Sequence, residues 1–457
     1  MISTYQQALE YIHSFDDPYL AALRDRGQQT WGLERIRAAL ALLGDPHLAL
    51  PVIHIAGTKG KGSTAALIAQ GLIESGLKTG LYTSPHLQDW RERIQVDRVW
   101  IGQAELTRLV EDYRQRAGSE TRISAFEVST ALALWHFQRA GCEVAVVEVG
   151  LGGRLDATNV VQPLVSVITS LSLDHTQLLG GTLAEIAAEK AAIIKAGAAA
   201  VSAPQSPEAL AVIERRAQEV GSPLVLVGRD WLLEPVQLAW HGSQARIGPP
   251  GALQPVRIRL PGAFQLENAA VALATLKQAQ QAGLAIRDEA AVAGLAHAEW
   301  PGRLEIVSHE PLIIIDSAHN PYSIHEMAHS LELLGGCDSL VVVFGAMADK
   351  DIGGMLGVLL PRARSVICTQ GVNPRAATAE TLRDTAKALV EAAAARGEPW
   401  ASRVEVRVAP DLAAALQRAH EVMRPGDALC ITGSLALAGE ARSALGLPVS
   451  SAVPRPV

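Results

Sequence analysis

The stretch His54-Ile55-Ala56-Gly57-Thr58-Lys59-Gly60-Lys61-Gly62-Ser63-Thr64 has residue types and spacing suited to holding an anion. Its glycines let the backbone fold close around a charged group, and a helix starting just after it would aim N-terminal N–H groups inward. Lys61 adds a positive charge, and Ser63 and Thr64 add hydroxyls. The chemistry is phosphate binding. The spacing is not the Walker pattern, because Gly57 stands two residues too near and Gly62 separates Lys61 from the hydroxyls.

Further candidates occupy the ends of apolar runs. Residues 144–149 are apolar apart from Glu148, and a carboxylate in a covered strand needs a cation or a metal ion; a buried salt bridge is the plainer reading. Gly150-Leu151-Gly152-Gly153-Arg154-Leu155-Asp156-Ala157-Thr158-Asn159 follows. The next strand, 165–169, is expected to bring Asp174 and His175 to the same sheet edge. A helix over 183–195 would set Lys190 on an apolar stripe with Ile186, Ala187, Ile193 and Ile194. Burial there lowers a lysine's pKa and leaves neutral amine for modification or pairing, whereas a snorkelling lysine is the simpler reading. In the second half, the apolar strand 312–316 ends in Asp316, followed by His319 and Asn320. Asp316 suits a ribose hydroxyl, and Asn320 suits a helix N-cap.

The elements that must position these groups alternate. Strands are expected at 52–56, 79–83, 144–149, 165–169 and 198–202, and helices at 65–73, 104–116, 126–139 and 183–195. Residues 1–50 read as helical, 221–260 as small hairpins, and 267–282 and 287–296 as helices again. This is an α/β chain whose N-terminal P-loop ATPase domain holds a mostly parallel sheet covered on both faces. After the linker Trp300-Pro301-Gly302-Arg303 a smaller Rossmann-like α/β domain begins, with strands at 312–316, 340–344, 365–369, 404–408 and 428–432. The division is 1–299 and 300–457, with a loose tail from 448. Two such domains imply a cleft where ATP meets a second substrate.

At 457 residues the chain is too long for one core. A net charge of −7 argues against wholesale nucleic-acid binding, so phosphates must be handled locally. The N-terminus lacks a basic-then-apolar leader and no apolar run is long enough to span a bilayer, which points to a soluble, cytoplasmic protein. Cys142, Cys337, Cys368 and Cys430 lack metal-ligand spacing and read as reduced core residues.

The phosphate loop, Ser84-Pro85-His86-Leu87, residues 148–159, Leu173-Asp174-His175-Thr176, Glu189-Lys190-Ala191, residues 316–321 and Thr432-Gly433-Ser434 occur in an order that resembles the Mur ligase superfamily. Within it, the chain is most similar to folylpolyglutamate synthases and bifunctional dihydrofolate synthase/folylpolyglutamate synthases. The resemblance implies an ATP-dependent acid–amino-acid ligase that phosphorylates a pteroate or folate carboxylate and lets L-glutamate displace the phosphate. It implies ATP contacts at Gly60, Lys61, Gly62, Ser63, Asn268, Arg303 and Asp316. One Mg2+ would sit on Ser84 and Glu148 and a second on His175, and Lys190 would be carbamylated. Catalysis would rest on Lys61, Glu148, His175 and Lys190. Ser124, Ala125, Phe126, Glu127, Leu155, Asp156 and Ala157 match pteroate-contacting segments, and His319 and Ser434 match motifs facing the cleft. The implied partners are dihydropteroate or a reduced folate and L-glutamate, with a monomer as the expected state and neither nucleic acid nor membrane.

Three positions depart from the family pattern. Phe264 replaces a common His, Lys59 replaces an Asn and so adds charge beside the nucleotide, and Ala192 replaces a Gly. Two other readings stay open: a superfamily ligase acting on a cell-wall precursor, and a nucleotide-binding regulatory protein that has lost the chemistry.

Overall fold

The computed structural model describes residues 1–15, 32–118, 123–336 and 339–449. The expected helix across 16–31, Cys337 and the tail beyond 449 lie outside the described residues.

The first sheet is built from β1 (Val52–Ala56), β2 (Thr79–Tyr82), β3 (Ile94–Val96), β4 (Val99–Trp100), β5 (Val144–Glu148), β6 (Pro163–Ile168), β7 (Ala199–Ser202) and β8 (Leu224–Leu226). Its order is β4-β3-β2-β5-β1-β6-β7-β8, parallel from β2 through β8 and antiparallel in the β2–β3 and β3–β4 pairs. β1 and β5 are buried along their whole length, as strands covered on both faces must be. On one face pack the helices Lys61–Glu74 and Ala263–Gln281, whose apolar side chains share a core with Ile53, Ile55, Val144 and Val146. On the other face lie Gln103–Ala117, Ala125–Ala140 and the N-terminal helices Tyr5–His13 and Glu34–Leu42. Because the chain leaves β1 toward β2 on one side and returns as β6 on the other, the order reverses at β1. That opens a crevice at the strands' carboxyl ends.

A small antiparallel sheet, β9 (Leu232–Gln237), β10 (Ser243–Gly248) and β11 (Gln254–Ile258), follows as the hairpin pattern predicts. The second large sheet holds β12 (Glu305–His309), β13 (Leu312–Ile315), β14 (Ser339–Phe344), β15 (Ala363–Thr369), β16 (Glu405–Ala409) and β17 (Asp427–Thr432), in the order β12-β13-β17-β14-β15-β16. Only β12 runs antiparallel to its neighbour.

Two local expectations are corrected. β6 stops at Ile168, so Asp174 and His175 stand on the loop after it rather than on a strand end. The helix Leu183–Ala191 ends early, with Ala192 as its C-cap. Ile193 and Ile194 are buried from the following turn rather than from the helical stripe. Cys368 and Cys430 are buried within β15 and β17, while Cys142 is half-buried; burial pushes the Cys142 and Cys368 thiols up to about 12. Among the described residues no helix is long and apolar enough to cross a membrane.

Candidate active site

The phosphate loop takes its shape from contacts its glycines permit. Gly60 adopts φ +85°, and a Cβ there would stand 2.3 Å from Asn268 Oδ1, so only glycine lets the loop lie against the helix Ala263–Gln281. The end of β6 holds the loop from behind. Thr58 N and Lys59 N both donate to Ser170 O, at 3.0 and 3.1 Å, and Thr169 Oγ1 donates to Lys59 O at 2.7 Å. The helix then begins at Lys61 itself, with its first N–H groups facing the crevice.

Around this loop the structure gathers a cavity of about 760 Å³. Gly60, Lys61, Gly62, Ser63, Ser84, Glu148, His175, Lys190, Asn268, Arg303 and Asp316 all line it. Both large sheets therefore contribute: β1 and β5 from the first, and the end of β13 from the second.

Glu148 ends β5 almost fully buried, accepting a hydrogen bond from Ser84 N at 3.1 Å and facing Lys61 Nζ at 3.9 Å. Burial raises its pKa, and Lys61 opposes the rise. Lys61 Nζ also donates to Gly57 O at 3.2 Å, which curls the ammonium back over the loop. Among the described residues no three His, Cys, Asp or Glu side chains form a closed metal cage. The donors fit Mg2+, which binds through one or two carboxylates and completes its shell with water and phosphate oxygens.

Lys190 is buried and turned into the cavity, and burial first, then the charge of Lys61, lowers its pKa to about 7. His175, at φ +50°, lies with Nε2 3.8 Å from Asp174 Oδ1; burial lowers its pKa and Asp174 partly offsets this. In the second sheet's share, Asp316 Oδ2 accepts from Leu304 N and Oδ1 from Ala318 N, both at 2.8 Å. Buried Arg303 is the principal charge opposing the burial-driven rise in the Asp316 pKa. His319 is pushed down to about 4, chiefly by burial, and its Nδ1 lies 2.9 Å from Ser317 O.

The other singled-out polar residues make the following contacts. Lys59 lines the cavity, and its ammonium pairs with Asp174 at 2.8 Å. Asn320 is the N-cap of the helix Pro321–Leu334, and its Nδ2 also donates to Asp174 at 3.2 Å. Ser434 caps the helix Leu435–Ala444 and is not on the cavity wall.

The pteroate-matching residues are likewise absent from that wall. Ser124 and Glu127 form a capping box on the helix Ala125–Ala140, and Glu127 pairs with Arg35 at 3.1 Å. Phe126 lies against Gly150, where a Cβ would be 2.5 Å from its ring. Asp156 caps the short turn Ala157–Val160 and is buried with Ala157, while Leu155 is half-buried. Ala125 opens its helix, half-buried.

Two further residues near the site belong to no motif, one on the cavity wall and one behind the phosphate loop. Glu267 lines the cavity, its carboxyl pushed up to about 7 by burial and then by Glu326. Trp300 covers Gly62, where a Cβ would meet its ring at 2.8 Å. An acid beside Asn268 in an otherwise apolar helix was the available hint for the first; the second depends on how the linker folds back. Phe264, at the position of the family histidine, forms apolar cavity wall.

With this geometry in place, comparison with known proteins is informative. The Mur ligase middle domain matches residues 55–276, and the Mur ligase, glutamate ligase domain matches 302–435. A probable bifunctional folylpolyglutamate synthase/dihydropteroate synthase of Haloferax volcanii is 38% identical over 423 residues, covering 90% of this chain and 48% of the relative. The chain thus spans about half the length of that relative. The dihydrofolate synthase/folylpolyglutamate synthase of Bacillus subtilis is 34% identical over 401 residues, 85% of this chain and 90% of the other. Among solved structures, Mycobacterium tuberculosis folylpolyglutamate synthase complexed with ADP superposes with a TM-score of 0.84 at 33% identity, covering 97% and 98% of the two chains.

Proposed function

The chain belongs to the Mur ligase family, in the branch of the folylpolyglutamate and dihydrofolate synthases, and on that premise we propose that it is an ATP-dependent ligase joining L-glutamate to a pteroate or folate carboxylate. The observation that carries the reading is the meeting of Lys61, Glu148 and Lys190 with Asp316 of the other sheet on one cavity wall.

In this reading Gly60, Lys61, Gly62 and Ser63 bind the ATP phosphates, and Asn268, Arg303 and Asp316 bind the rest of the nucleotide. Ser84 and Glu148 would hold one Mg2+ and His175 a second; bound there, the ions would offset charge on the transferring phosphoryl group. The acceptor carboxylate attacks the γ-phosphorus in line, and ADP leaves. Lys61 stabilises the equatorial oxygens as the bond to the β–γ bridging oxygen breaks. The glutamate amine then attacks the acyl carbon, the C–O bond to phosphate breaks, and an amide and inorganic phosphate result. Lys190 carries a carbamate, formed as its neutral amine captures carbon dioxide. Ser124, Ala125, Phe126 and Glu127, with Leu155, Asp156 and Ala157 of the 150–159 loop, border the pteroate. Residues 1–299 form the ATP-binding domain and 300–457 the glutamate-ligase domain, closing on each other to keep water from the acyl phosphate. The enzyme works as a cytoplasmic monomer on small molecules, a reading that its net charge of −7 supports with respect to nucleic acid.

ADP release tests this, with ATP, Mg2+ and L-glutamate plus either dihydropteroate or tetrahydrofolate. ADP formation that requires both glutamate and an acceptor is expected. A folded protein that binds ATP but releases ADP with neither acceptor would overturn the reading.

A further inference from the structure

Inside the first sheet lies a buried polar chain outside the cavity wall. His54, fully buried on β1, has Nε2 at 2.8 Å from Thr158 Oγ1. Thr158 Oγ1 donates to Asp156 Oδ1 at 2.5 Å, and Asp156 also accepts from Thr158 N and Leu151 N, each at 2.9 Å. Since backbone N–H donors already face Asp156, the Thr158 hydroxyl proton points to it as well. The hydroxyl's lone pair therefore receives a proton carried on His54 Nε2. The opposite tautomer would bury an Nδ1–H, and Nδ1 has no partner among the described residues. Burial keeps the ring neutral.

The 150–159 loop joins two working parts of the site. On its inner side, Gly150 and Leu151 line the cavity. On its outer side, Arg154 N donates to Glu189 O and Arg154 Nε to Glu189 Oε1, both at 2.9 Å. Gly153 packs so closely on the Lys190 helix that a Cβ would come within 2.5 Å of Glu189 O. The phosphate loop depends on other groups, Ser170 and Thr169. The two loops are therefore fastened separately.

We propose that His54 is a positioning residue: through Thr158 and Asp156 it sets the 150–159 loop, and with it the acceptor carboxylate relative to Lys190, while leaving nucleotide binding alone. The part concerning the acceptor rests on the ligase reading above. Glutamine can place an amide N–H where imidazole Nε2 lies, whereas asparagine reaches only the Nδ1 position.

The test compares His54→Asn, His54→Gln, Thr158→Val and Thr158→Ser in the full chain, varying ATP and the folate acceptor separately in the ADP assay. His54→Asn and Thr158→Val are expected to lose about tenfold or more in kcat/KM for the acceptor, with KM for ATP within about twofold. His54→Gln and Thr158→Ser should stay within about threefold of the parent. Equal activity of the Asn and Gln variants, or a KM for ATP that moves in step with the acceptor, overturns the proposal. Amide hydrogen exchange gives a readout independent of turnover. In His54→Asn and Thr158→Val, amides of 150–159 should exchange about tenfold faster while those of 57–60 keep their rate, and unchanged protection of 150–159 in His54→Asn refutes the role. Thus, if the parent protein releases no acceptor-dependent ADP, the ligase reading fails, while exchange still decides whether His54 holds the loop.

Discussion

The Lys59 ammonium sits 2.8 Å from the Asp174 carboxylate, tying the phosphate loop to the loop that carries His175. Asp174 also accepts from Asn320 of the second α/β unit, so one carboxylate joins three segments distant in sequence. Burial works against the ionised Asp174, but the charge and hydrogen bond of Lys59 outweigh it and hold the carboxyl below its ordinary range. The pair's contribution is thus present above about pH 4 and is lost only as pH falls through the depressed value. In a double-mutant cycle of Lys59→Asn and Asp174→Asn measured by urea unfolding, a coupling of about 1–2 kcal/mol is expected, allowing for partial exposure of both groups. Additive single effects would refute this linkage.

Lys61→Ala removes the cation that faces Glu148 and curls over the loop. Turnover is expected to fall by about a thousandfold or more, with the melting temperature little changed, because the helix start is set by backbone contacts. Near-normal ligation by the folded variant would remove the phosphate loop from the mechanism.

The pKa near 7 of Lys190 has a sign that can be checked. Its folded value lies below the unfolded value of about 10.4, so between the two the unfolded chain binds more protons and this group makes stability rise with pH. Lys190→Met should flatten that rise relative to the parent between about pH 7 and 10, as followed by chemical denaturation. With Lys190 carbamylated as proposed, activity of the parent should climb as pH increases through about 7 and respond to added bicarbonate. A bicarbonate-insensitive rate, with Lys190→Met still active, would exclude the carbamate.

Arg98 pins the inter-sheet linker: its Nη2 donates to Glu299 O at 2.6 Å and its guanidinium lies 5.4 Å from the Trp300 ring centre. Trp300 in turn rests on Gly62. Arg98→Met should cost about 2 kcal/mol of stability and raise KM for ATP, since the linker would no longer press on the phosphate loop. An unchanged KM with unchanged stability would show that the clamp is idle.

Much of this was legible locally. The β1–loop–helix unit follows from an apolar run, spaced glycines and a helical period, and Asn320 as an N-cap follows from its place before Pro321. One reading failed for an equally local reason. The apolar pattern continues through Ile193 and Ile194, so periodicity extends the Lys190 helix past its C-cap at Ala192. Asp156 and Glu127, matched to the pteroate by resemblance, also make turn and capping hydrogen bonds, which the residues 156–158 and 124–127 encode locally.

The sequence by itself determined most of the alternation of strands and helices and the polar groups at the ends of β5 and β13, because side-chain periodicity and capping act over a few residues. Only the tertiary structure decided that Glu148 falls beside Ile55 in the β1–β5 register, opposite Lys61, and that Lys59 pairs with Asp174. Strand order and the folding back of the linker depend on long-range packing of many small contacts. No single stretch of chain encodes which of its neighbours will be buried against it.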